Sequence, residues 1–245
     1  MSSDFILVGH RDIEPGRRPA SRARNRKWAL GVIAVLLAFV EPLPASAGTS
    51  SASLLTRGAR IVEDAARVRT ARIDPNRSDR LVVHIVLATT DTSAAPIPRL
   101  QGGRATWERL ATVAKGSGAP RNLTTFTATG VRKGRLTIRF PFASRMHVAW
   151  TVSQASGSVR STAMEVLSGR DTSLSITFDR RPRGVVISGF AVGYPGSVEV
   201  EVPYVELGQS HTSVVTAIAA KGTARTVTVS WPQQGHALGY AVEIG

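Results

Sequence analysis

The sequence predicts an all-β protein: an antiparallel two-sheet β-sandwich, jelly-roll-like, over residues 81 to 245, preceded by an N-terminal signal helix and a basic linker. Three observations predict it. Six runs alternate apolar and polar residues with a period of two, two further runs are nearly continuously apolar, and turn dipeptides separate them with no long helical pattern between.

Taken in order, residues 48 to 80 are polar, basic and small. A faint helical rhythm runs from Ile61 through Ala65 to Val68, with Glu63 and Asp64 near its start, and predicts one short helix or a tether. Leu81 to Ala88 is nearly continuously apolar and reads as a central strand. Leu136, Ile138, Phe140 and Phe142 form one face of a strand whose other face carries Thr137 and Arg139. Met146, Val148, Trp150 and Val152 alternate with His147, Ala149 and Thr151. Leu174, Ile176 and Phe178 alternate with Ser173, Ser175 and Thr177. Val185 to Val192 is the second central strand. Val198, Val200 and Val202 alternate with Glu199 and Glu201, Val227, Val229 and Trp231 with Thr226, Thr228 and Ser230, and Tyr240, Val242 and Ile244 close the chain.

Between these runs stand Gly102-Gly103, Lys133-Gly134, Ser156-Gly157, Pro195-Gly196, Lys221-Gly222 and Gln234-Gly235, all with turn chemistry. Strands with one apolar and one polar face predict sheets that pack a single face on the core. No internal repeat is expected. The flanks of Trp107 and Trp231 do not align, which favours one sandwich over two immunoglobulin-sized ones.

The stretches SDRLVVHIVLATTD (from Ser78), GGRATWERLATVAKGSG (from Gly102), LTTFTATGVRKGRLTIRF (from Leu123) and HVAWTVSQASG (from His147) resemble β-sandwich modules of exported bacterial and phage-associated proteins. Ser78-Asp79-Arg80 stands where those modules have Gly-Asp. The resemblance covers about residues 78 to 158 and implies architecture, with attachment or surface display as its context. It implies no chemistry.

The N-terminal region carries its own signal. Arg22, Arg24, Arg26 and Lys27 precede an apolar run from Trp28 to Val40, which is shorter than the about 20 residues a spanning helix needs. Glu41, Pro42 and Pro44 end the run, and Ala45-Ser46-Ala47 follows as a small-residue exit. That order is a secretory signal peptide, with cleavage expected after Ala47 and no stable membrane span afterwards. Residues 1 to 47 are therefore assigned as signal peptide, 48 to 80 as basic linker or short helix and 81 to 245 as the sandwich. The chain has no cysteine, so neither disulfides nor a lipid-modified cysteine contributes.

Net charge is +14, and beyond Ala47 there remain 24 basic residues against 13 acidic. Such a surface suits an acidic polymer or anionic lipid. Nucleic acid is not expected, because export removes the opportunity and no aromatic stacking platform accompanies the charge. Arg57, Arg60, Arg67, Arg69, Arg72, Arg77 and Arg80 are the one concentration of arginines that stands out.

The search for chemistry yields no catalytic, cofactor-binding or metal-binding assignment. His84 falls inside an apolar strand and reads as a core residue. His147 lies on a polar strand face, and His211 and His236 fall in loops, with no pair at metal-ligand spacing. Glu199 and Glu201 share a strand face about 7 Å apart, which a glycosidase pair would accept but an exposed, edge-protecting face explains as well. No G-x-S-x-G element is present. Asp91, Asp171 and Asp179 are isolated candidates for calcium, and Trp107 is the one tryptophan out of phase with a core. The reading is a non-enzymatic exported binding, adhesion or surface-structural module of bacterial type, with a surface glycan, envelope polymer or exported protein as partner. The alternative is an exported carbohydrate-binding or carbohydrate-active protein on a jelly roll.

Overall fold

The computed structural model describes residues 51 to 89, 94 to 115, 121 to 193, 198 to 201, 205 to 210, 214 to 219 and 224 to 245. The expected signal segment, Asp91, His211, Val202 and the expected Pro195-Gly196 and Lys221-Gly222 turns lie outside these residues. The described chain is all-β and antiparallel. Its strands are β1 (Ala52–Ile73), β2 (Arg80–Ala88), β3 (Arg99–Gly102), β4 (Glu108–Lys115), β5 (Arg121–Thr129), β6 (Gly134–Ala155), β7 (Val159–Thr177), β8 (Val185–Val192), β9 (Glu199–Val200), β10 (Val205–Ser210), β11 (Val214–Ala219) and β12 (Thr226–Ile244).

Several expectations need correcting. Residues 52 to 73 are neither linker nor helix: they form β1, paired with β6 along its whole length from Ala52↔Ala155 to Ile73↔Gly134. The helical rhythm around Ile61 is overridden by that pairing, and a left-handed Asp64 together with register shifts lets the strand bend. The runs around Phe140 and Trp150 are a single strand, β6, as those around Val229 and Val242 are β12. Gln234-Gly235 accordingly marks an irregularity inside a strand, not a hairpin turn. Phe142 is exposed, where the β1–β6 register breaks between Arg139 and Ala143 and the alternation is interrupted.

Connectivity supplies a further correction. One sheet has the order β1-β6-β2-β5-β4 with β3 on β6, and the other β7-β12-β8-β11-β10 with β9 on β12. Each sheet is therefore built from six consecutive strands. The chain passes between sheets once, at residues 156 to 158, whereas a jelly roll interleaves them.

The two orders are the same order repeated. Register confirms the duplication: Leu81 faces Gln154 as Val186 faces Glu243, and His84 faces Thr151 as Gly189 faces Tyr240. A repeat absent from the Trp107 comparison thus exists elsewhere, aligning LTIRFP (from Leu136) with VTVSWP (from Val227), and HVAWTVSQASG with HALGYAVEIG (from His236).

Both faces of the central strands are buried, not one. Leu81, Val83, Ile85, Leu136, Ile138, Phe140, Val148 and Trp150 fill the first curled sheet. Leu174, Ile176, Phe178, Phe190, Val227 and Trp231 fill the second. A third core lies between the sheets, from Val82, Val86, Leu123 and Ala149 on one side and Val185, Ile187, Leu238, Tyr240 and Val242 on the other. Polar residues in the middle of β5 and near the end of β6 are thereby buried too. Thr125, Thr127, Thr151 and Ser153 face inward from the first sheet, and Thr127 Oγ1 is satisfied by donating to the Leu81 carbonyl at 2.9 Å.

His84 sits in this layer, fully buried, its Nδ1 2.9 Å from Thr125 Oγ1 and its Nε2 without a partner. The ring lies over Gly189, where a Cβ would clash with it. Register thus brings equivalent positions of the two halves into contact, His filling the space that Gly leaves. Burial pushes the His84 imidazole down to about 3 from its usual 6.5. The neutral ring is the folded form, so stability is complete above pH 6.5 and declines as pH falls from there toward 3. The loss is expected to reach roughly 5 kcal/mol at the lower limit. Urea midpoints measured at pH 7, 5 and 4 should show this decline, and His84→Val should flatten most of it. Gly189→Ala should destabilise by about 1 to 3 kcal/mol through overpacking against the ring.

Candidate functional site

The turn joining β7 to β8, Phe178 to Gly184, carries three arginines in seven residues. Phe178 anchors its start: the side chain is buried, its N–H donates to the Arg225 carbonyl at 3.1 Å, and its own carbonyl accepts from Arg225 Nε. Pro182 is buried within the turn, and Gly184 ends it where a Cβ would strike the Ile244 carbonyl.

Glu243 on β12 pins this turn. The N–H groups of Arg183 and Gly184 donate to its Oε1 at 2.7 and 2.9 Å, and Ser161 Oγ donates to Oε2. Burial alone would raise the Glu243 carboxyl. The three hydrogen bonds and the Arg160 charge outweigh it, holding the group below the usual carboxylate range. It is ionised at neutral pH, and its lone pairs are committed to the fold.

Around it opens a cleft of about 670 Å³ lined by Arg160, Arg180, Arg181, Pro182, Arg183 and Glu243. All four arginines are exposed. Four guanidinium groups and one internally engaged carboxylate line this concavity. Such forks match carboxylate, phosphate or sulfate oxygens two at a time.

The first half of the molecule shows what this turn needs for folding alone. There Gln154 occupies the register position of Glu243 and accepts from the Asn76 N–H at 3.1 Å. Asn76 Nδ2 donates to Asp79 Oδ2 at 3.1 Å and Ser156 Oγ to Asp79 Oδ1 at 2.7 Å. That turn closes on itself with amide, hydroxyl and carboxylate groups, so the frame does not require the arginines of its counterpart.

The residues singled out from sequence are distributed elsewhere. His84 is in the core, as expected. His147 is half-buried, its imidazole lowered by burial and by the charges of Arg145 and Arg121. His236 borders a small recess of about 80 Å³ with Lys115 and Arg121. Among the described residues no three metal-ligating side chains converge. Glu199 and Glu201 are exposed on and just after β9, beside β12. Asp171 is exposed and caps the Thr172 N–H at 2.7 Å, while Asp179 is exposed in the next turn. Trp107 is half-buried against the first core and donates Nε1 to the Gly102 carbonyl at 3.1 Å. In the sequence, FDRRPRG offers Asp179 as a calcium candidate, and its three arginines are not among the sequence candidates. The density of arginines there was the available signal; the position of Glu243, about sixty residues later, was not.

Comparison of the chain with protein-family models, with curated proteins and with solved structures gives no match. What defines its class is therefore the architecture and the cleft: a duplicated pair of curled antiparallel sheets with an arginine-lined concavity at one turn of the second.

Glu243→Ala, which leaves two backbone N–H groups without their acceptor, should destabilise the protein by about 1 to 3 kcal/mol in urea denaturation. Glu243→Gln, which installs the side chain the first half uses, should cost less than about 1 kcal/mol. It should also strengthen anion binding in the cleft by removing the one negative charge.

Proposed function

We propose that the protein is a non-enzymatic exported binding module of bacterial type whose cleft at the β7–β8 turn holds an acidic polymer of the cell envelope. The observation that carries this reading is the contrast between the two halves: equivalent turns are pinned alike, but only the second surrounds its pin with four arginines. Anionic glycans bearing phosphate or carboxylate groups are the ligand class. A neutral glycan draws less support, since Trp150 and Trp231 are buried and Trp107 packs on the first core.

Export is part of the same proposal. Among the described residues the first strand starts at Ala52, beyond the expected cut after Ala47, so cleavage there would leave every described strand whole. Protein recovered from the medium or envelope fraction of a bacterial host should have a mass corresponding to a chain starting at Gly48. Intact chain in the cytoplasm would overturn the localisation.

Binding is tested by calorimetry with a polyglycerophosphate and a polyuronate against a neutral glucan. The acidic polymers should bind and the glucan should not, with affinity falling as salt rises. Arg180→Ser with Arg181→Ser should weaken binding about tenfold or more. Equal binding of neutral and acidic polymers, or no effect of the double variant, would refute the cleft as the site.

A further inference from the structure

A second basic surface lies on the first sheet, away from the cleft. Arg67 of β1, Arg139 of β6 and Arg99 of β3 are direct neighbours in one row of the ladder, and Arg72 faces Arg135 in another. Arg69 stands between them opposite Thr137, whose other neighbour is Gln101. The buried alternates Val68, Leu100, Leu136 and Ile138 turn these six arginines outward, and all six are exposed. None is paired with a carboxylate among the described residues.

Like charges directly opposite on a sheet are destabilising. The duplicated half shows that the frame does not demand them. Ser173, Ser230 and Glu199 replace the row of Arg67, Arg139 and Arg99, and Thr177 faces Thr226 where Arg72 faces Arg135. There the face is knit by hydroxyl pairs, Ser175 with Thr228 at 3.0 Å and Thr177 with Thr226 at 3.1 Å.

At the rim of the arginine face stand apolar side chains turned to solvent. Ile97 is 48% and Phe142 70% exposed. Ile97 and Pro141 help line a shallow recess of about 380 Å³ with Arg99 and Arg139. The charges occupy three adjacent strands spaced about 4.8 Å apart, and so form a two-dimensional array. A single polymer chain engages a line of charges. A two-dimensional cationic array with an apolar rim fits anionic headgroups side by side with their acyl boundary beneath.

We infer that this face, Arg67, Arg69, Arg72, Arg99, Arg135 and Arg139 with Ile97 and Phe142 at its rim, docks the protein onto an anionic lipid surface. Its basis is independent of the cleft. The test is co-sedimentation of the protein with vesicles of phosphatidylglycerol and phosphatidylcholine in equal parts, against phosphatidylcholine alone. The protein should sediment with the anionic vesicles only, and 0.5 M salt, a Debye length of about 4 Å, should release most of it.

Each arginine is expected to contribute about fivefold, so Arg67→Gln, Arg99→Gln and Arg139→Gln together should weaken partition roughly a hundredfold. Lysine at the same three positions should retain it, as point charges suffice for headgroups. Phe142→Ser should weaken it severalfold, and the cleft variant Arg180→Ser with Arg181→Ser should leave it unchanged. The melting temperature of the glutamine variant should equal or exceed that of the parent, since like-charge pairs are removed. Unchanged partition of that variant would overturn the proposal. So would binding of soluble polyglycerophosphate lost in the same variant but indifferent to Phe142→Ser, with no vesicle sedimentation. Sedimentation of the parent with neutral vesicles to the same extent would overturn it as well.

Discussion

Everything in this fold depends on the contact between the backs of two curled sheets. A sheet that curls around its own core would ordinarily leave its convex face to water. Here Val82, Val86 and Leu123 of one sheet meet Val185, Ile187, Leu238 and Val242 of the other, so the central strands are buried on both sides. That requirement explains the continuous apolar runs of β2 and β8, which have no face to spare for solvent. It also explains a layer of buried threonine and serine on the first sheet, tolerable where hydroxyls reach partners, and a neutral histidine set against a glycine at the centre.

Much of this was legible beforehand and some was not, for reasons located in particular residues. Period-2 alternation identified strands around Ile138, Trp150, Ile176 and Val229, and continuous apolarity identified β2 and β8, because side-chain burial follows directly from the pleat. β1 was missed since its exposed face is basic and its inward positions are irregular, so pairing with β6 rather than local preference makes it a strand. The duplication is hidden in the sequence because its tryptophans are not equivalent. Trp107 lies between β3 and β4 whereas Trp231 lies within β12; Phe140 is the true counterpart of Trp231, and each is followed by proline. The cleft was illegible in its key residue, as Glu243 is far from the turn in sequence and adjoins it only through the β8–β12 ladder.

Within one chain the two halves act as mutual controls. A frame that is satisfied by Gln154 in one place and Glu243 in the other separates what folding requires from what is added. Arginines accumulate on the turn of the second half and on the outer face of the first, and in each case the equivalent surface is neutral or acidic. Net charge alone, read along the sequence, blurs this into a general basicity. Mapped onto equivalent positions it resolves into two separate surfaces of different shape, one concave and one flat.

The length of β1 bears on the order in which the molecule assembles. Ala52 pairs with Ala155 and Ile73 with Gly134, so a chain emerging amino end first presents 22 strand-forming residues well before their partner exists. An unpaired strand of that length is an invitation to other chains. Arg57, Arg60, Arg67, Arg69 and Arg72 make it repel its own kind during that interval. The same charges that shape the finished surface thus act as gatekeepers while the nascent sheet waits to close.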